Sequence, residues 1–153
     1  MDNQPTIEVL NTLITINNDR IEGYDTASKE TEEHDLKELF SKFSTTSQNC
    51  NHELNAEVIR LGGSPAEGTL LSGKFFRVWM DLKAALTGKD REYILNSCEY
   101  GEDAAKGTYE KVLAENLDSL SIDQQMMIKA QHALLKDDHD TIKYMRDVLV
   151  GEK

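Results

Sequence analysis

Apolar residues in this 153-residue chain recur at three- and four-residue spacing through four stretches of about 25 to 30 residues, a period that buries one face of a helix and no face of a strand. The first, about residues 5–29, places Leu10, Leu13, Ile14, Ile21 and Tyr24 on one side, with Asn3 positioned to cap it and Pro5 in its first turn. The second opens at Thr31, a capping residue followed by Glu32 and Glu33, which suit the positive start of a helix. Its stripe is Leu36, Leu39, Phe40, Phe43, Leu54, Val58 and Leu61. The run Leu61-Gly62-Gly63-Ser64-Pro65 then stops it, since glycine tolerates a left-handed cap and proline cannot continue a helix.

Residues 62–88 form a long connection with a shorter helix, about 73–86, whose Phe75, Phe76, Trp79, Leu82 and Leu86 share a face that packs on the bundle. Asp90 is placed to cap a third long helix, about 90–115, with Ile94, Cys98, Gly101, Ala105, Thr108 and Val112 inward. That face is small, and Gly101 in a helix interior points to a close helix approach. Ser121-x-x-Gln124 is a capping box for a fourth helix, about 122–150, with Met127, Ile128, Leu134, Leu135, Ile142, Met145 and Leu149 inward and Gly151 beyond its end.

Each long helix runs roughly 40 Å at 1.5 Å per residue. Two short connections and one long one describe two helical hairpins joined by a crossover. The expectation is an all-α fold and one domain over 1–153: a ferritin-like four-helix bundle with a long crossover carrying a short extra helix.

Charge narrows the partners. With 28 acidic against 17 basic residues the net charge is −11, which repels phosphate backbones and anionic membrane surfaces. No run approaches the ~20 apolar residues of a membrane span, and Met1-Asp2-Asn3-Gln4-Pro5 has no signal-peptide pattern, so the expectation is a cytoplasmic protein. Cys50 and Cys98 have no zinc-type spacing and read as reduced, buried thiols.

A di-iron bundle draws one Glu from each of two helices and a Glu-x-x-His pair from each of the other two, all pointing inward. Glu-x-x-His does not occur in this chain. Lys129 and Lys136 stand three residues before His132 and His139, and Asn49 before His52; His34 lies in a first turn. The helical projection places Asn17, Ser47, Cys50, Gln131 and Asp138 on the apolar stripes as hydrogen-bonded core polars. It aims Glu22 and Glu53 away from the centre or along its margin, and sets Glu99 and Glu102 at or beyond the edge of the third stripe. No phosphate loop, dinucleotide fingerprint or nucleophile elbow is present. No catalytic, cofactor-binding or metal-binding residue is therefore expected, and no cofactor.

Leu61-Gly62-Gly63-Ser64-Pro65, Trp79-x-Asp81-Leu82-Lys83, Gly88-x-Asp90 and Gly101-Glu102-Asp103 followed by Tyr109 occur in that order. With them the chain resembles, over about residues 5–148, a bacterial ferritin-like four-helix-bundle family of unknown function, domain of unknown function 2383. The resemblance implies the ferritin-like bundle and brings no established activity. The expected function is that of a non-catalytic bundle acting as a stress-related, structural or partner-binding protein, through an unknown protein partner or self-association as a homodimer. The alternative is a metal-binding or redox protein whose atypical carboxylate site uses Asp138, Glu99 or Glu102 and a histidine such as His139.

Overall fold

The computed structural model describes residues 2–68 and 91–151. They form four long helices, α1 (Gln4–Glu30), α2 (His34–Arg60), α3 (Arg91–Glu115) and α4 (Ile122–Gly151), with a 3-10 turn at Leu117–Ser119. No strand occurs among the described residues. The expected crossover helix with Phe75, Phe76 and Trp79, and the Asp90 cap, lie outside them.

The ends are built as their residues dictate, except at Asn3 and Thr31 and at Gly151, which was expected beyond the last helix and is its final residue. Gly62, at φ +89°, donates its N–H to Ile59 O at 3.0 Å, and Gly63 donates to Val58 O at 2.9 Å. These two bonds are the Schellman closure of a helix, and the positive φ is what requires glycine at position 62. At the start of α4, Gln124 N–H donates to Ser121 Oγ at 3.1 Å and Ser121 N–H to Gln124 Oε1 at 2.8 Å, the reciprocal pair of a capping box. The Asn3 and Thr31 caps do not form as expected. Asn3 makes no capping bond, and Asp2 Oδ1 instead accepts from Gln4 N–H at 2.9 Å. α2 begins two residues later than expected, after Glu33, with Thr31 Oγ1 accepting from Glu33 N–H at 3.3 Å.

Side-chain pairs give the topology. α1 and α2 pack as one hairpin and α3 and α4 as another. Across the hairpins, Asn17 meets Tyr109 and Arg20 meets Glu102, so α1 and α3 are antiparallel. Cys50 meets Gln131 and Glu57 meets Gln124, so α2 and α4 are antiparallel too. Arg91, at the start of α3, is 3.1 Å from Glu33 and 2.5 Å from Asp35, at the start of α2. α2 and α3 therefore run parallel, and the end of α2 and the start of α3 lie at opposite ends of the bundle.

Two apolar clusters fill the interior. Leu10, Leu13, Ile14, Leu54, Val58, Ala105, Ile128 and Leu135 belong to the one near the start of α1. Leu36, Phe40, Phe43, Ile94, Leu95, Cys98 and Ile142 belong to the other, where Tyr24 stacks on Phe40 at 5.6 Å and meets Phe43 edge-on at 5.3 Å. On every helix the residues between the clusters are polar and buried. They are Asn17 and Arg20, Ser44, Ser47 and Asn51, Glu102, and Asp138.

Two expectations about phase change. The buried stripe of α3 is Ile94, Leu95, Cys98, Glu102, Ala105, Tyr109 and Val112, so Gly101 and Thr108 are only half-buried at its margin. On α4, Leu134 is 46% exposed rather than inward. In both helices the true stripe contains polar residues, and centring on apolar ones alone rotates the apparent face.

Candidate functional site: a guanidinium-centred polar belt

All four helices contribute a side chain to one layer at the middle of the bundle. Arg20 on α1 donates from Nη2 to Glu102 Oε1 of α3 at 2.7 Å and to Asp138 Oδ2 of α4 at 3.1 Å, and from Nη1 to Ser47 Oγ of α2 at 2.5 Å. The Tyr24 hydroxyl donates to the same Glu102 oxygen at 2.5 Å, and its ring lies 5.4 Å from the guanidinium carbon. Arg20, Glu102 and Asp138 are all but sealed from solvent. The heptad-like spacing of α3 turns Glu102 inward one turn from Cys98, and Asp138 follows Leu135 and Gln131 on α4.

A second layer stands one turn along α1. Asn17 Nδ2 donates to the Tyr109 hydroxyl at 2.8 Å and to Leu13 O at 2.9 Å; the hydroxyl donates to Gln131 Oε1 at 2.7 Å. Gln131 Nε2 then donates to Glu53 Oε1 at 3.2 Å and Cys50 O at 3.3 Å. Glu53 remains exposed, as its projection indicates, yet its carboxylate reaches back to close this chain.

The electrostatics follow from burial and from one cation shared by two anions. Burial pushes the Asp138 carboxyl up to about 6, with Glu102 adding to the rise and Arg20 opposing it. For Arg20, burial disfavours the charge, but the neighbouring carboxylates, Glu102 foremost, hold it above the ordinary arginine value. Burial raises the Tyr24 and Tyr109 hydroxyls well above the usual tyrosine range. The same cause lifts Cys50 to about 11 and Cys98 above the ordinary thiol range; Cys98 is raised further by Glu102. Both cysteines are free and buried, as their isolation in the sequence indicates. Among the described residues, Glu102 Oε2 and Arg20 Nε have no hydrogen-bond partner.

Chemically the belt is a buried ion cluster in which one guanidinium bridges two carboxylates. Its residues do not fit a metal pair, because it offers two carboxylates and no histidine, and both carboxylates are already bonded to a guanidinium. Asn17, Ser47, Cys50, Gln131 and Asp138 are buried here as expected. Glu102, expected at the edge of its stripe, is corrected to the centre, with no exposure. Arg20, the cation of the layer, was not among the expected core residues, although its i+3 position after Asn17 and i−4 position before Tyr24 carry the signal.

The alternative site divides. Asp138 and Glu102 belong to the interior, whereas Glu99 and His139 lie on the outer seam between α3 and α4 with Asp103, their ligand atoms within 4.8 Å of one another. Glu99 is ion-paired with Arg146 there. His34 and His52 are exposed, and His132 pairs with Glu110 at 3.0 Å on the surface.

No helix among the described residues is long and apolar enough to cross a membrane. No curated protein sequence matches the chain. A family model does match, over residues 5–115, a span covering α1, α2, the connection after them and α3; the chain accordingly belongs to the family described as domain of unknown function (DUF2383).

Proposed function

We propose that this chain is a ferritin-like bundle without ferritin chemistry, a non-catalytic, cytoplasmic protein that acts through its surface as a structural or partner-binding component. One observation carries the reading. Where a di-iron bundle holds its metals, this bundle holds Arg20, bonded to Glu102 and Asp138 and sealed from solvent. The side-by-side hairpins with α2 and α3 parallel support the ferritin-like connectivity. The reading is tested by adding ferrous iron in air and following oxygen uptake and absorbance between about 300 and 650 nm. The rate should equal that of a protein-free blank, and a protein-dependent acceleration would overturn the reading.

The surface that acts is assigned to the outer side of α4, and the partner to a second copy. Ile122, Met126 and Tyr144 are 75%, 64% and 71% exposed, and with Ala130, Ala133 and Val148 they make an outward stripe along the whole helix. Antiparallel pairing about a two-fold axis brings Ile122 of one copy to Val148 of the other and Met126 to Tyr144, with Ala130 and Ala133 facing Asp140 and Asp137 and Lys129 beside Asp140. The stripe is self-complementary in size, as a two-fold interface requires. Light scattering during gel filtration should give a dimer for the native chain and a monomer for Tyr144→Glu. A native monomer, or an unaffected dimer in that variant, would remove α4 from this role.

A further inference from the structure

The outer seam between α3 and α4 carries a second arrangement that the reading of the bundle centre does not use. Glu99 and Asp103 stand one turn apart on α3 and face His139 on α4. His139 Nε2 lies 2.6 Å from Asp103 Oδ1, and its Nδ1 lies 3.2 Å from Asp140 Oδ1. A neutral imidazole has one N–H and can donate to only one of two carboxylates. Its other nitrogen then presents a lone pair to an oxygen lone pair, and either a second ring proton or a metal ion drawn in as the Asp103 carboxylate swings back relieves that contact. With Nδ1–H given to Asp140, the free lone pair is on Nε2, the ring atom nearest Asp103. A carboxylate orienting an imidazole from behind in this way is the arrangement that sets histidines for metal binding.

Access differs from that at the centre. The His139 side chain is 11% exposed and held by packing, whereas that of Asp103 is 56% exposed, so the ring is fixed while the ligand side opens to water. Arg146 is a weaker competitor than Arg20. It is a quarter exposed and also bonds Asp147 at 2.9 Å, so it leaves Glu99 for Asp147 and solvent without burying a charge. We infer that the α3–α4 seam is a binding site for one divalent ion of the zinc type, held by His139 Nε2, Asp103 and Glu99 with water completing the shell and Asp140 as the positioning residue. One imidazole and two carboxylates are donors that zinc, cobalt and nickel accept.

The test is titration of chelator-stripped protein with Zn2+ alone by calorimetry, with Co2+ as the spectroscopic probe. One Zn2+ should bind per chain, and Co2+ should give visible bands. His139→Gln and Asp103→Asn should each weaken Zn2+ at least tenfold, and Asp140→Asn about tenfold, the size usual for outer-shell partners. Arg146→Gln should tighten binding. His132→Gln, at the other surface histidine–carboxylate pair, should leave it unchanged. Circular dichroism of each variant separates loss of the site from loss of the fold, and the gain in Arg146→Gln is an effect misfolding does not produce. No Zn2+ uptake by the native chain, or uptake undiminished in folded His139→Gln, overturns the assignment. The iron assay at the bundle centre is unaffected by either result.

Discussion

Replacing Arg20 by Met keeps most of the side-chain length and removes the cation, leaving Glu102 and Asp138 buried without a counter-charge. Breaking a buried pair in this way typically costs about 3–5 kcal/mol. The figure can be reached independently. The readiest relief is protonation, and holding an ordinary glutamate neutral at pH 7, some 2.7 units above its usual pKa, costs about 4 kcal/mol at 1.36 kcal/mol per unit. Asp138, already pushed up to about 6, adds only about 1 kcal/mol if it too is neutralised. The sum is a large fraction of the 5–15 kcal/mol typical of a domain. The relief has a signature, since the penalty should shrink by roughly 1.4 kcal/mol for each unit the pH is lowered from 7 towards 5. Urea unfolding followed by circular dichroism, on Arg20→Met and on Arg20→Met with Glu102→Gln, measures it. The double variant should recover most of the loss, because removing a buried ion pair as a unit is often close to neutral. A single-variant loss below about 1 kcal/mol, or one independent of pH, would refute the claim that Arg20 is the counter-charge of the belt.

Four further outcomes follow from the same geometry. Asp138 has a folded-state value above its unfolded one, so its contribution is present in full below about pH 4 and is lost as pH rises through 6; relative to Asp138→Asn, the native chain should lose up to about 3 kcal/mol across that window, measured by urea unfolding at pH 4 and 7. Tyr109→Phe removes the hydroxyl that accepts from Asn17 and donates to Gln131, and should lower stability by about 1–3 kcal/mol by the same assay. Gly62→Ala forces a Cβ into a left-handed conformation with no steric neighbour within 4 Å, so backbone strain alone should lower stability by about 1–2 kcal/mol. Cys50 and Cys98, buried and raised above the usual thiol range, should react with a thiol-disulfide dye only at the rate of unfolding, and prompt labelling of native protein would contradict their burial.

Much of the fold was legible because apolar period and end chemistry act locally. Ser121 with Gln124 and Gly62 with Gly63 make bonds within a few residues of themselves, so the sequence neighbourhood contains the whole cause. Asn17, Ser47, Gln131 and Asp138 were legible as core polars because their own stripes are apolar enough to set the phase. Arg20 and Glu102 were not, and for one reason. A lone arginine or glutamate on a stripe is expensive to bury, so single-helix reasoning moves it outward. Only the partner from another helix, 82 residues away in sequence, makes the inward position stable. Glu99 and His139 show the converse: their pairing across α3 and α4 depends on the relative stagger of two helices, which no periodicity within either one encodes.

The same logic explains why the belt lies where it does. A bundle interior that held only Leu, Ile and Phe would let α1 and α2 slide against α3 and α4 by a turn at small loss, since aliphatic surfaces are interchangeable. Arg20 removes that freedom, because its fork reaches Glu102 and Asp138 together in one register, while Ser47 on α2 accepts from Nη1. One turn away the Asn17–Tyr109–Gln131 chain imposes the same register through neutral bonds. A slip would leave two carboxylates and a guanidinium buried apart, which is far costlier than a mispacked leucine. In this bundle the charged layer therefore contributes more to choosing one alignment of the hairpins than to net stability, and the double variant Arg20→Met with Glu102→Gln should be close to native in unfolding midpoint while broader in its amide proton spectrum. A spectrum as sharp as that of the native chain would mean that apolar packing alone sets the register.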